Sequence, residues 1–277
     1  MSTMQLCLSM WSLQEEVSAG RMDLAGFLAF CSHHHVQTVE LLGFLQKETP
    51  GQTRRMLADR SMRAGAWSAA NNFVQPSPAE LRRQIDGLKR CVDEAAEVGA
   101  PILRVFSGDE HPAVGYQDGL KMILDAFGAC EPHARSAGIV MALENHGVFA
   151  GTSGQVNGII EAIGSPYLRA TVDTANFLFV DEDPLSAVRG TARHAAWVHF
   201  KDYRPCAADE EGAWPSLAGR HYAGCALGEG CVGLKGIAAV LSAGGYQGCL
   251  SIEFEGPQPL DSTVRSIHFV QAILAGA

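Results

Sequence analysis

Short β-rich runs alternate with longer helical stretches from one end of this 277-residue chain to the other. Each run is rich in Val, Ile, Leu or aromatic residues, as expected of parallel strands that are buried on both faces. The predicted strands are Met4–Met10, Thr38–Leu42, Ala64–Ala70, Ile102–Phe106, Ile139–Glu144, Ala170–Asp173, Trp197–Lys201 and Cys249–Glu253. Since eight βαβ-type units close naturally into a barrel, the sequence predicts an α/β fold, a single (β/α)8 TIM barrel.

Two connections between the strands are informative. Pro78–Val98 is the clearest helix, because apolar residues recur on one face at helical spacing and Ser77 followed by Pro78 is typical of a helix start. Segment 204–233, between the seventh and eighth strands, shows no helical pattern and is rich in Gly, Ala, Trp and charged residues. Long loops in compact domains are usually lids or binding segments, so we expect a functional role for this segment.

The composition bounds the size of the fold and its partners. With 47% hydrophobic residues the chain can bury a large core, and its length suits one domain over residues 1–277 better than two. The formal net charge of −9 would repel phosphodiester backbones, and the sequence has no run of Lys and Arg interleaved with aromatic residues. Nucleic acid is therefore not an expected partner.

The N-terminus and the cysteines indicate the compartment. Met1–Leu6 lacks the basic stretch and the long apolar core of a secretory signal, and no segment has the uninterrupted apolar length of a membrane helix. The eight cysteines are scattered without a CxxC pair, in a chain large enough to fold without disulfides. We therefore expect a cytoplasmic protein with reduced thiols and no membrane partner.

Four consecutive predicted strands end in residues that can bind a metal ion. The fifth ends at Glu144, the sixth at Asp173, the seventh contains His199, and the eighth ends at Glu253, with Glu255 two residues further on. Any one of these carboxylates could instead cap a helix or pair with an arginine. Three carboxylates and an imidazole at one barrel mouth, however, would repel one another unless a cation neutralised them. The sequence thus predicts one divalent metal ion; the oxygen-rich set favours Mn²⁺, Mg²⁺ or Co²⁺ and does not exclude Zn²⁺.

Strand parity adds candidates, because residues two apart point to the same side of a strand. His199 and Lys201 face together, and so do Glu253 and Glu255, which makes Glu255 the rival ligand. Arg104, which is near the end of the fourth strand, could bind a carboxylate or phosphate of a substrate or serve as a structural partner of carboxylates. Glu40 near the end of the second strand is its expected partner.

Several strand-end motifs together resemble the xylose-isomerase-like, endonuclease IV-like barrel superfamily. The resemblance extends from the third strand to the eighth and so covers nearly the whole chain. The motifs are Asn71-Asn72-Phe73, the segment Gly99–Gly108, Glu144-Asn145-His146-Gly147, Asp173-Thr174-Ala175-Asn176-Phe177, Val198-His199-Phe200-Lys201-Asp202, Leu227-Gly228-Glu229-Gly230 and Ser251-Ile252-Glu253.

The resemblance implies roles for individual residues. In the sugar epimerases of the superfamily, the corresponding Glu, Asp, His and Glu bind one metal and the two Glu residues form the acid/base pair. Here this implies metal ligation by Glu144, Asp173, His199 and Glu253, with Glu144 and Glu253 as catalytic residues. The ligand comes first in the final Glu pair of the family, which favours Glu253 over Glu255.

Four further residues are candidates for substrate binding: His146, Asn176, Lys201 and Arg104. His146 shares the parity of Glu144 and would contact substrate or support a ligand. Lys201 would bind a substrate hydroxyl or a developing oxyanion, the alternative being a rim ion pair with Asp202. Asn176 stands where several sugar epimerases of the superfamily carry His, and no Glu lies six residues after Glu144. These two departures weaken a specific ketohexose epimerase assignment.

The predicted site suits proton transfer through an enediolate. A metal ion bound to a carbonyl and a neighbouring hydroxyl oxygen acidifies the carbon-bound proton between them, and two flanking carboxylates can move that proton. We therefore predict a metal-dependent isomerase or epimerase of a small polyhydroxylated carbonyl compound, a sugar or sugar derivative.

Two alternatives remain beside this prediction. The first is a dehydratase or lyase that acts on an inosose- or dehydroshikimate-like ketone, and the second is a non-catalytic sugar-binding barrel. A DNA-repair endonuclease would need a three-zinc cluster with additional His ligands, which the strand ends lack, and a different charge. Barrel relatives often pair, so a homo-oligomer is also expected.

Overall fold

The computed structural model describes residues 4–276 and contains a closed barrel of eight parallel strands. Around the barrel the eight strands lie in the same order as in the sequence, so neighbours in sequence are neighbours in space. This confirms the predicted (β/α)8 barrel. Residues 1–3 and 277 of the predicted domain lie outside the described residues, and the assignment of one domain stays a prediction. The strands are β1 (Gln5–Ser9), β2 (Thr38–Leu42), β3 (Arg63–Ser68), β4 (Ile102–Val105), β5 (Val140–Glu144), β6 (Leu168–Asp173), β7 (Ala195–Phe200) and β11 (Cys249–Ile252).

A helix follows each barrel strand and packs its apolar face on the outside of the sheet. The predicted helix Pro78–Val98 is confirmed: Ser77 caps its start, and it ends at Gly99, where φ is +89°. Among residues 4–276, no helix is both long enough and apolar enough to cross a membrane. The helices are α1 (Gln14–Ser18), α2 (Leu24–His33), α3 (Pro50–Ala58), α4 (Pro78–Val98), α5 (Tyr116–Ala137), α6 (Ser153–Ile163), α7 (Pro184–Thr191), α8 (Leu234–Ala243) and α9 (Pro259–Ala275).

Several strands are shorter at their carboxyl ends than predicted. The third ends at Ser68 instead of Ala70, and the last two end at Phe200 and Ile252, just before Lys201 and Glu253. The seventh strand ends before Lys201 because the backbone N–H of Lys201 donates to the side-chain hydroxyl of Thr174, at 2.9 Å. The site residues therefore leave the regular ladder where the strands open towards the mouth.

The barrel interior changes from apolar to polar along the strand direction. Its floor is a small buried cluster, separate from the main core between sheet and helices. Because residues two apart on a strand share a face, the next layer up holds the residues two positions after this floor. The floor is built from Cys7, Ala66, Ala142, Trp197 and Cys249. The residues two positions further on four of these strands are Ser68, Glu144, His199 and Ser251.

Tyr203 and segment 204–233 form a small antiparallel sheet. The sequence indicates only a long loop for this segment. Its strands, β8 (Tyr203–Pro205), β9 (Trp214–Pro215) and β10 (His221–Gly224), lie in the order β8-β10-β9. Asp181, which follows β6, bonds to this sheet through the Arg220 guanidinium at 2.8 Å and the Ala218 N–H at 2.6 Å. The sheet is thereby fixed at the carboxyl-terminal side of the barrel.

Asp202 anchors the end of this segment. Its two carboxylate oxygens accept four backbone N–H bonds, at distances from 2.9 to 3.1 Å. A Cβ at Gly230 would clash with the same carboxylate, so this close approach requires glycine. The donors are the N–H groups of Tyr203, Gly228, Gly230 and Val232.

We expect Asp202→Ala to destabilise the protein by about 3 kcal/mol, because each buried N–H left without an acceptor costs about 1–3 kcal/mol. The matched control is Asp93→Ala, which removes an exposed pair with His133 and should cost less than about 0.5 kcal/mol. Urea unfolding of both variants measures the difference. Equal midpoints for the two variants would contradict the anchoring role of Asp202.

Candidate metal centre

Four residues from separate strands bring potential ligand atoms together at the barrel mouth. Glu144, Asp173 and His199 lie on β5, β6 and β7, and Glu253 directly follows β11. One ligand atom from each lies within 4.8 Å of all the others. All four side chains are buried, and those of Asp173 and His199 are fully so. The structure thus brings together all four predicted ligands.

The imidazole of His199 lies at the centre of this cluster. Its Nδ1 is 3.2 Å from Glu253 Oε2, 3.6 Å from Glu144 Oε2 and 3.8 Å from Asp173 Oδ2. Among the described residues, neither His199 Nδ1 nor Asp173 Oδ2 has a hydrogen-bond partner, although both atoms are buried. Buried polar atoms are normally satisfied, so two such atoms facing one point fit a ligand that bonds both. One nitrogen and three carboxylate oxygens form a donor set that suits a divalent metal ion.

Asp173 is oriented by the turn that it begins. Its Oδ1 accepts the backbone N–H bonds of Ala175 and Asn176 at 2.8 and 2.9 Å, which leaves Oδ2 to face the cluster. The Asn145 side chain accepts from the N–H of Asp173 and donates to its carbonyl. Burial and the neighbouring Glu253 and Glu144 charges raise the pKa of Asp173 to about 7, against the opposing effect of Lys201.

Glu144 is held from two sides. Asn176 Nδ2 donates to its Oε1 at 3.1 Å, and Arg104 Nε lies 3.4 Å from its Oε2. Burial alone would raise the pKa of Glu144, but the charges of His199 and Arg104 outweigh burial and lower it. The expected pairing of Arg104 with Glu40 is wrong: the guanidinium pairs with Glu144 and donates to the carbonyl of Ala69, since it points towards the mouth.

Lys201 joins Glu253 to Glu255. Its ammonium lies 3.0 Å from Glu253 Oε1 and 2.8 Å from Glu255 Oε1, so it does not form the alternative pair with Asp202. The oxygens of Glu255 also accept from Trp11 Nε1 and from the Tyr203 hydroxyl. Despite burial, Lys201 and these donors lower the pKa of Glu255 to about 2. Glu255 thus lies outside the four-residue cluster, with its oxygens already hydrogen-bonded.

His146 occupies the rim instead of the interior. It is exposed, and its ring lies 5.0 Å from that of Phe106. The guanidinium of Arg104 lies over the other part of this stack, 4.1 Å from the Phe106 ring centroid. Arg104, Phe106 and His146 therefore form one continuous edge beside Glu144.

The charges of the site do not balance among the permanently charged groups. Five carboxylates belong to it, and the nearby permanent cations are Arg104 and Lys201. Burial opposes a charge on His199, but the surrounding carboxylates, Glu253 foremost, raise its pKa well above the usual value. The surrounding carboxylates therefore favour the protonated form of this imidazole.

A cleft of about 690 Å³ lies beside the cluster. Glu255 forms part of its wall and is linked to Glu253 of the cluster through Lys201. The loop after β1, the antiparallel sheet and the loop after β11 enclose it, with Trp11, Tyr203 and Trp214 among the lining residues. Residue patterns did not indicate Trp11 or Tyr203, since both come from connecting segments. Asn145 is adjacent to Glu144 in sequence, but its bonds to Asp173 depend on the pairing of β5 with β6.

Comparisons with known proteins agree with the barrel fold. A family model described as xylose isomerase-like TIM barrel matches residues 28–273. A 3-dehydroshikimate dehydratase of Pseudomonas putida is 25% identical over 207 residues, which are 74% of this chain and 31% of that protein. The chain thus spans less than a third of the length of this curated relative.

Solved structures share the fold at low sequence identity. An L-ribulose 3-epimerase matches with a TM-score of 0.77 at 16% identity, over 99% of this chain and 95% of that chain. A structure described as IOLI protein with a bound zinc atom has a TM-score of 0.77 at 16% identity, over 99% of this chain and 97% of that chain. The proteins to which this chain is similar are therefore named for different activities.

We expect the affinity for Mn²⁺ to rise between about pH 6 and pH 8, by up to about tenfold per pH unit for each proton released. The carboxylates raise the pKa of His199, and a metal ion binds only the neutral imidazole, so metal binding must release a proton from this residue. Titration with a fluorescent chelator measures the slope. Glu229→Gln, a change in a surface pair with Arg265, should leave the slope unchanged. An affinity independent of pH would contradict the raised pKa of His199.

Proposed function

This chain belongs to the xylose isomerase-like TIM barrel family, and from that premise we propose that it is a divalent-metal-dependent isomerase or epimerase. Its substrate is a small polyhydroxylated carbonyl compound, a sugar or sugar derivative. The observation that carries the proposal is the pairing of Glu144 and Glu253. They come from separate strands, and each turns one carboxylate oxygen towards the same buried point beside His199 Nδ1.

Each of these two glutamates has one oxygen held by a protein donor. Asn176 donates to Glu144 Oε1, and Lys201 donates to Glu253 Oε1. The second oxygen of each side chain faces His199 Nδ1, where it could bind a metal ion or exchange a proton with substrate; that of Glu144 also lies 3.4 Å from Arg104 Nε. Preorganised carboxylates of this kind can act without rearrangement during the reaction.

Glu144, Asp173, His199 and Glu253 would hold the metal ion, which supplies Lewis acidity for the carbonyl and a neighbouring hydroxyl of the substrate. Burial and the charges of Glu144 and Glu40 raise the pKa of Glu253 against the opposing effects of His199 and Lys201. A carboxyl with a raised pKa gives and takes protons more readily near neutral pH. Glu253 would therefore remove the carbon-bound proton, and Glu144 would serve the opposite face.

The remaining groups would bind and orient the substrate. Lys201 can donate to a hydroxyl or to the oxygen on which negative charge develops, since its ammonium lies between Glu253 and the cleft wall at Glu255. Arg104 and His146 form the opposite edge with Phe106. Asn176 would act through Glu144, to which it already donates.

A second candidate is a dehydratase acting on a dehydroshikimate-like ketone. It is favoured by the 25% identical 3-dehydroshikimate dehydratase and by Arg104. Within the described residues, the buried Arg104 Nε makes no hydrogen bond and has only the 3.4 Å ion pair with Glu144 Oε2, so the guanidinium could also bind a substrate carboxylate. The first chemical step would be the same proton removal, followed by loss of a β-hydroxyl as water.

We expect metal-loaded protein to exchange the C–H proton beside the carbonyl of its substrate in D₂O, and Glu253→Gln to slow this exchange by about 10²- to 10⁴-fold, because the amide cannot accept the proton. NMR follows a panel of ketoses, aldoses, inososes and dehydroshikimate. Glu161→Gln, which alters exposed contacts with Arg193 and His194 away from the cluster, is the matched control and should exchange normally.

The product of the same incubation separates the candidates. An epimer or a ketose–aldose pair supports the isomerase or epimerase, and loss of water supports the dehydratase. Protein that binds no metal ion and exchanges no substrate proton contradicts both, and would leave a non-catalytic sugar-binding barrel as the better description.

A further inference from the structure

Glu40 lies directly beneath the cluster of four potential metal ligands, inside the barrel. It comes from β2, and its side chain is completely buried. Four side chains donate to its two carboxylate oxygens, and three of the four come from strands other than the neighbours of β2. The donors are Ser68 Oγ at 2.7 Å, Ser251 Oγ at 2.8 Å, Trp197 Nε1 at 3.0 Å and His199 Nε2 at 3.0 and 3.1 Å from the two oxygens.

These contacts determine where the proton of His199 lies. Two hydroxyls and an indole N–H already donate to Glu40, and an ionised carboxylate can only accept hydrogen bonds. The Nε2 atom of His199, bridging both oxygens, must therefore carry a hydrogen. In the neutral imidazole the other nitrogen, Nδ1, is then unprotonated and presents its lone pair to Glu144, Asp173 and Glu253.

We propose that Glu40 is a positioning residue that fixes the tautomer and ring orientation of His199 and so strengthens Nδ1 as a metal ligand. This inference rests on the proposed function, because it assumes that the cluster binds a metal ion. A carboxylate that accepts from the second nitrogen of a metal-binding imidazole raises the basicity of the ligand, and its loss typically costs about 10- to 100-fold in metal affinity.

The surroundings of Glu40 shield its contact with His199 from solvent. Below it lies the apolar floor, in which the Trp197 side chain packs with Ala66 and Ala142. The Ser251 hydroxyl, which donates to Glu40, also lies 3.5 Å from Cys7 Sγ. The side chain is fully shielded from solvent, so bulk water does not compete for His199 Nε2.

The test compares Zn²⁺ affinity, measured by chelator competition, in the wild type and three variants. Glu40→Gln should lose about 10- to 100-fold in affinity. Ser68→Ala removes one neutral donor but keeps the carboxylate, and should change affinity by less than about threefold. Glu131→Gln removes another buried carboxylate, bonded to Ser165 and Arg135 on α5, and should leave affinity unchanged.

Two outcomes of this comparison overturn the inference. Wild-type affinity in Glu40→Gln shows that the carboxylate does not support the ligand. An equal loss in Ser68→Ala shows that packing beneath the site, and not the carboxylate on Nε2, sets the affinity. A wild-type protein that binds no Zn²⁺ overturns the proposed function as well, and so is distinguishable from failure of this inference alone.

A measurement on the wild type needs no variant of Glu40 to fold. Long-range ¹H–¹⁵N NMR of the Zn²⁺-loaded protein reports which nitrogen of each imidazole carries hydrogen, and His199→Gln identifies the signal. We expect His199 to show a protonated Nε2 and a metal-bound Nδ1. The reverse assignment would overturn the inference.

Discussion

Mutual repulsion of buried carboxylates is the constraint on which the rest of this site depends. Glu40, Glu144, Asp173 and Glu253 are buried, and they lie in one region with the half-buried Glu255, because the carboxyl ends of eight parallel strands converge on one barrel mouth. Water is largely excluded there, so each charge must be met by a specific donor or cation. Every other polar residue of the site can be understood as a response to this requirement.

The response is divided among separate donors. Asn176 donates a hydrogen bond to Glu144, and Arg104 forms an ion pair with it. Lys201 donates to Glu253 and Glu255, and backbone N–H groups donate to one oxygen of Asp173. These bonds leave the remaining acceptor atoms directed at Nδ1 of one imidazole, that of His199. A fixed set of lone pairs aimed at one point is what a metal ion with oxygen and nitrogen ligands requires.

The two sides of the mouth have different characters. Beside Glu144, the edge formed by Arg104, Phe106 and His146 is cationic and aromatic. Beside Glu253, the wall at Glu255 leads to the cleft bordered by the antiparallel sheet. This asymmetry supports the proposal that the two glutamates meet a bound substrate from different faces.

The sequence by itself determined the fold and the membership of the cluster. The alternation of strand and helix and the period-two parity of residues are local properties, so the eight strands and the common facing of residues such as His199 and Lys201 could be predicted. The hydrogen-bond and ion-pair partners of these residues could not be predicted, because those contacts join segments that are distant in sequence. Only the tertiary structure paired Arg104 with Glu144, Glu40 with His199, and Glu255 with Trp11 and Tyr203. Each of these contacts depends on where strands that are distant in sequence meet. Glu40 and His199, for example, are 159 residues apart in the chain.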